Sequence, residues 1–273
     1  MALAGKVATA LLSDPGRVRG HNEDAVAEDA ELGLLVLADG MGGHNAGEIA
    51  SALATTTVLD VCARHWPALR RGDIGASQHC SAESTMLRTA LEMAHATIRQ
   101  VSQTQPQCAG MGTTIVAALL RDDRLSIASV GDSRLYRLRD GALAQLTRDH
   151  SLLAELIARG HPSGEDVVRR ARKNIVTRAL GVGNEVQVDL IEDTVEVGDV
   201  LLLCSDGLSD MISDETIRLT LERYTDDLET AARRLVELAN DAGGKDNVSV
   251  ILARADASFA HGRRWYERLT EWF

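Results

Sequence analysis

The sequence predicts an α+β layered sandwich, and three observations carry that expectation. Short apolar runs suited to strands cluster along the chain, and helical patterns come in pairs. The two do not alternate in the βαβα order that a doubly wound parallel sheet requires. The third observation is composition: 45% of the 273 residues are hydrophobic and 25% charged, which is enough to bury a sizeable core and too balanced for a disordered chain. No repeat, low-complexity tract or proline-rich linker divides the chain, so one main domain is expected.

The elements follow in order. A strand is expected at 7–12 and another at 34–38, with helical periodicity at 45–65 and 82–103. The first of these helices opens Asn45-Ala46-Gly47-Glu48, the form of a capping box. Strands at 114–119, 125–130 and 135–138 are joined by polar turns at Arg121–Arg124 and Arg139-Asp140-Gly141. Helical patterns at 151–159 and 165–172 lead to strands at 186–191 and 200–204. Helices at 214–223 and 227–239 precede a last strand at 248–253.

Charge and cysteine usage exclude several classes of function. Forty acidic against 29 basic residues give a formal charge of −11, the wrong sign for a surface that grips phosphate backbones. No run reaches the roughly 20 apolar residues of a bilayer span, and the opening MALAGKVATALLSDPG reads as a strand rather than a secretory segment. Cys62, Cys80, Cys108 and Cys204 are scattered without C-x-x-C spacing, as expected of free thiols in the cytoplasm.

The most informative feature is the placement of carboxylates. The apolar runs 34–38, 126–130 and 200–205 lead into Asp39-Gly40, Gly131-Asp132 and Asp206-Gly207, and Asp246-Asn247 stands just before Val248. A single Asp-Gly after a strand is ordinary turn chemistry. Four acids at the ends of buried strands, with Glu23-Asp24 in another loop, point instead to an all-oxygen site for a hard cation such as Mg²⁺ or Mn²⁺. The glycine-rich stretches at 40–43 and 110–112 match neither a phosphate loop nor a dinucleotide fingerprint.

These motifs resemble the metal-dependent serine/threonine protein phosphatases of type 2C in their compact bacterial form. The matching segments are Arg19-Gly20-His21-Asn22-Glu23-Asp24, Ala38-Asp39-Gly40-Met41-Gly42-Gly43-His44, Gly110-Met111-Gly112-Thr113-Thr114, Gly131-Asp132-Ser133-Arg134, Ser205-Asp206-Gly207-Leu208-Ser209-Asp210 and Asp246-Asn247-Val248-Ser249. They occur in the family's order. The resemblance implies a four-layer α/β/β/α sandwich of two mainly antiparallel sheets flanked by helix pairs, with a catalytic domain over 1–256. It also implies hydrolysis of phosphoserine and phosphothreonine on proteins, opposing a bacterial Ser/Thr kinase. Two alternatives stand beside it: a non-catalytic phosphatase-like module that binds a phosphoprotein partner, and a dedicated anti-anti-sigma phosphatase with one partner.

By the same resemblance Asp39 bridges two Mn²⁺ or Mg²⁺ ions, the Gly40 carbonyl joins one, and Asp206 and Asp246 complete the other. Asp132 with Asp206 supports a third, weaker ion. Glu23 and Asp24 hold metal-bound waters, Asn247 orients Asp246 or its waters, and Arg19 grips phosphate. One departure stands out: the histidine that eukaryotic relatives carry directly after Asp-Gly is replaced by Met41, which leaves His44 as the nearest candidate general acid. Cys204, in an apolar run, is read as core rather than nucleophile. The stretch from Asp149 to Val176 corresponds to the family's flap. The expected partners are phosphorylated proteins and a cognate kinase, with no nucleic acid, no membrane span and a monomeric state. Residues 257–273, rich in Trp and Tyr, read as an amphipathic helical extension.

Overall fold

The computed structural model describes residues 5–43, 46–71, 80–158 and 175–259. In chain order the strands are β1 (Val7–Asp14), β2 (Asp24–Asp29), β3 (Leu34–Met41), β4 (Gly112–Thr113), β5 (Ile115–Arg121), β6 (Arg124–Val130), β7 (Arg134–Arg139), β8 (Ala142–Gln145), β9 (Asp189–Thr194), β10 (Val200–Cys204) and β11 (Val248–Ala255). The helices are α1 (Ala46–Arg71), α2 (Ala82–Thr104), α3 (Leu152–Ala158), α4 (Asp206–Ser209), α5 (Asp214–Arg223) and α6 (Leu228–Asp241). One sheet runs β1-β11-β10-β7-β8 and the other β2-β3-β5-β6-β9, with β4 paired to the end of β3. Every pairing between these strands is antiparallel.

Three apolar clusters separate four layers. Leu34, Val36 and Ala38 of β3 pack under α1 and α2 with Ala50, Ala54, Val58, Leu87 and Leu91. Their neighbours Leu35 and Leu37 point the other way and meet Leu201, Leu203 and Ile251 of the facing sheet. Beyond that sheet, Leu202, Val250 and Leu252 pack on Ile217, Leu221 and Leu235 of α5 and α6. Successive side chains of a strand face opposite ways, so a strand covered on both faces reads as a continuous apolar run. That is why β3, β5, β10 and β11 stand out in the sequence. Each fully buried Leu contributes about 1.5–3 kcal/mol.

Local chemistry sets the boundaries. Ser81, Ser213 and Asp227 each accept a backbone N–H at the start of α2, α5 and α6, from Ser84, Thr216 and Thr230. The hairpin turns fall where expected, with Asp122 and Asp123 (φ 53° and 56°) and Asp140 and Gly141 (φ 49° and 76°) all left-handed. Such pairs match the twist of the strands they join.

Several expectations need correction. Asp24 does not lie in a loop: it opens β2, whose sequence DAVAED is too polar to read as a strand. The ninth strand starts at Asp189 rather than 186, because its pairing with β6 begins there, opposite Ser129. α1 runs on past residue 65 to Arg71, since Trp66 and Leu69 still have core to cover. Its segment Ala46–Leu69 is long and apolar enough, by length and composition, to cross a membrane. Here half of its most apolar window is buried, and Ala50, Ala54, Val58 and Val61 cover β3. Phe259 sits in the core between the sheets and donates its backbone N–H to Asp123 at 2.6 Å, so the folded unit continues past the expected boundary at 256. The remainder of the expected extension lies outside the described residues, as do Asn45 of the capping box and the helical pattern at 165–172.

Candidate metal centre

Antiparallel neighbours place the end of one strand beside the start of the next, and this brings the acids to one edge of the sandwich. Asp24 at the start of β2 stands opposite Asp39 in the β3 register. Asp206 follows β10 and Asp246 precedes β11, which are adjacent strands of the other sheet. Asp132 follows β6, beside Thr114 at the head of β5. A cavity of about 240 Å³ is lined by Arg19, Glu23, Asp39, Gly40, Met41, Thr114, Asp132, Val176, Asp206 and Asp246, among others. A second cavity, of about 210 Å³, lies behind Asp132 and Asp206 and adds Arg134, Asp149, Ser209 and Asp210.

Backbone contacts fix these positions. Asp39 donates its N–H to Thr114 Oγ1 at 3.2 Å, and its carbonyl accepts from Thr114 N–H and Thr113 Oγ1. Gly40 N–H donates to the Glu23 carbonyl at 3.1 Å. A Cβ on Gly40 would stand 2.1 Å from the Gly47 carbonyl oxygen, so only glycine lets β3, Glu23 and α1 meet. Ser205, wholly buried, donates to Asp24 Oδ2 at 2.9 Å and accepts from Ser249 N–H at 3.0 Å.

The electrostatics are those of crowded like charges. Burial, then the charges of Asp24, Asp206, Asp132 and Asp246, push the Asp39 carboxyl well above the usual range. Burial foremost, with Asp132 and Asp246 adding to it, raises Asp206 to about 8. Asp132 rises to about 6 through burial and Asp149. Burial also raises Asp24 and Glu23, against the hydrogen bonds that Asp24 receives from Ser249 and Ser205. Among the described residues Arg19 is the guanidinium that lines this cavity; it donates to Asp246 at 2.6 Å, with half of its side chain exposed.

This donor set fits a hard divalent cation. Every side-chain ligand candidate is an oxygen, and Glu23 Oε1 and Asp24 Oδ1 are buried without a hydrogen-bond partner. Among the described residues no three His, Cys, Asp or Glu side chains stand in a ready-made coordination set; the carboxylates line a shared cavity instead.

Of the residues singled out from sequence, Arg19, Glu23, Asp39, Gly40, Asp132, Asp206 and Asp246 line the cavity, and Asp24 stands beside it. Asn247 is expected from sequence to orient Asp246 or its waters. Its side chain turns instead to the 15–23 loop, accepting from Glu23 N–H at 2.8 Å and donating to the Pro15 and His21 carbonyls. Only its backbone N–H meets Asp246. His44 lies outside the described residues. Cys204 is fully buried and its thiol is pushed up to about 12 by burial, so it packs rather than reacts. Sequence reasoning missed Thr114 and Ser205; the polar pair Thr113-Thr114 heading an apolar run was the available signal.

Comparison with known proteins gives a consistent picture. The family model described as protein phosphatase 2C matches residues 17–240. The serine/threonine phosphatase stp of Listeria monocytogenes is 38% identical over 247 residues, which cover 89% of this chain and 94% of that protein. PstP of Mycobacterium tuberculosis is 40% identical over 244 residues, 89% of this chain and 44% of its own length. A crystal structure of the M. tuberculosis phosphatase superposes with a TM-score of 0.79 at 38% identity, covering 92% of this chain and all of that one. The PstP catalytic domain in complex with two manganese ions gives 0.76 at 38% identity, covering 91% and 98%.

Proposed function

Since this chain belongs to the protein phosphatase 2C family and is a protein-serine/threonine phosphatase, we propose that it hydrolyses phosphoserine and phosphothreonine with two Mn²⁺ or Mg²⁺ ions, in the cytoplasm, against a bacterial Ser/Thr kinase. The single observation that carries the mechanism is the convergence of Asp39, Asp132, Asp206 and Asp246 on one cavity, to which the described residues bring one cationic side chain, Arg19. The manganese-bound relative supports the choice of ion. Free Cys62, Cys80, Cys108 and Cys204 suit a reducing compartment.

Asp39 would bridge the two ions, with the Gly40 carbonyl on one and Asp206 and Asp246 on the other; Asp132 and Asp206 would hold a third. When bound, such ions supply a water acidic enough to attack phosphorus near neutral pH and offset the charge of the phosphoryl group. The rest falls to the chain. Glu23 and Asp24, with their unpartnered buried oxygens, would hold and orient waters. Arg19 has the exposure to swing from Asp246 towards two phosphoryl oxygens, which its planar fork matches. Thr113 and Thr114 keep the Asp39 backbone from shifting as charge moves. The leaving serine or threonine oxygen takes a proton, and His44 is the proposed donor.

The test is phosphate release from a phosphothreonine peptide. Metal-free protein is expected to be inactive, Mn²⁺ to restore turnover and EDTA to abolish it. Full turnover in EDTA would overturn the mechanism.

A further inference from the structure

We infer that His150 is a positioning residue that fixes Asp132, the acid assigned above to the third ion, through the backbone of Gly131. The inference rests on that assignment. His150 is 4% exposed, and none of the roles proposed so far uses its ring. Its backbone N–H donates to the Gly131 carbonyl at 2.8 Å, and its ring Nδ1 accepts the Gly131 N–H at 3.0 Å. One residue thus holds both backbone polar groups of Gly131, the residue that precedes Asp132.

Gly131 has little freedom to respond otherwise. It is left-handed (φ 110°), and a Cβ there would lie 2.5 Å from Thr114 Cβ, so the turn is pressed against the segment that holds Asp39. The ring is itself oriented. Because Nδ1 accepts, the neutral ring carries its proton on Nε2. Nε2 stands 3.0 Å from Asp189 Oδ2, while Arg178 donates to Asp189 Oδ1 at 3.0 Å. His150 and Arg178 therefore share one carboxylate on β9. On either side of the ring the chain is also clamped. Arg134 binds Asp149 through both oxygens, and Thr177 N–H donates to the His150 carbonyl. The path runs from Asp189 through the imidazole to Gly131 and so to the direction in which Asp132 points, the arrangement by which outer groups tune metal ligands.

Two substitutions separate this role from packing. In His150→Asn the amide oxygen can stand where Nδ1 accepts. In His150→Gln the donor towards Asp189 is kept and the Gly131 acceptor is lost. Mn²⁺ is titrated calorimetrically into the metal-free full-length chain, with folding checked by thermal unfolding in EDTA. The Gln variant is expected to bind the weaker class of ions about 10-fold or more weakly, with the tighter class unchanged and the Asn variant near wild type. Asp189→Ala, at a partly exposed position, releases the ring without emptying the core and should weaken the same class. It serves if the Gln variant does not fold. Matching titrations for the Gln and Asn variants, or an Asp189→Ala variant like wild type, would overturn the inference, as would a wild type with a single class of ions. Failure of wild-type phosphate release would instead overturn the functional reading.

Discussion

Two buried carboxylates in this molecule meet opposite fates. Asp199, 1% exposed, receives both arms of Arg139 at 2.7 and 2.6 Å and the Glu196 N–H at 2.9 Å. On Asp39 the charges that weigh most are those of Asp24, Asp206, Asp132 and Asp246, and its carboxyl is held well above the usual range. A buried acid that serves the fold brings its counter-charge within the chain. One that serves chemistry leaves it to be supplied from outside, and the chain tolerates the cost until it is.

The comparison breaks most visibly at Asp39. Asp39→Asn should cut phosphate release by more than about 1000-fold, because the shared ligand is lost. The same change should raise the melting temperature of metal-free protein, since it removes a repelled carboxylate. A metal-free variant less stable than wild type would mean that Asp39 is structural. At the other pole, Asp199→Ala leaves Arg139 facing a hole in the core and should destabilise by about 3 kcal/mol, read from urea unfolding. Turnover per folded molecule should be unchanged.

The pH dependence sharpens the contrast. Asp132 and Asp206 titrate near 6 and 8 in the fold, above an ordinary carboxylate near 4, so between those values the native state binds more protons than the unfolded one. Stability therefore falls as pH rises. In EDTA the protein should melt lower at pH 8 than at pH 5, and saturating Mn²⁺ should remove most of that difference. A metal-free protein equally stable at both values would contradict the raised carboxylates. The smallest effect belongs to Arg19→Lys, which keeps the charge and loses the fork. About a 10-fold fall in kcat/KM is expected, with metal binding intact.

How much of this was legible follows from what each residue touches. β3, β10 and β11 announce themselves because both faces are buried, and Asp39, Asp132, Asp206 and Asp246 stand out as acids at the ends of such runs. β2 and β8 do not: DAVAED is too polar to carry a two-sided apolar signal, and ALAQ is short and mostly exposed. From sequence Asp24 consequently reads as part of a loop, and its pairing with Asp39 leaves no local signal. The turn of Asn247 towards Glu23, and the link from His150 to Gly131 and Asp189, join residues from 19 to 224 positions apart. No local pattern encodes such contacts; they exist only once the sheets have stacked.

The central claim is that the missing counter-charge at Asp39 is a divalent cation. It is tested most directly by counting the protons released when Mn²⁺ binds. Metal-free protein at pH 7 is titrated with Mn²⁺ in two buffers of different ionisation enthalpy. Burial and like charge raise both carboxyls, Asp206 to about 8, so the account predicts saturable binding with net proton release, reduced in Asp39→Asn. Saturable binding without proton release, or release that Asp39→Asn leaves intact, would contradict it.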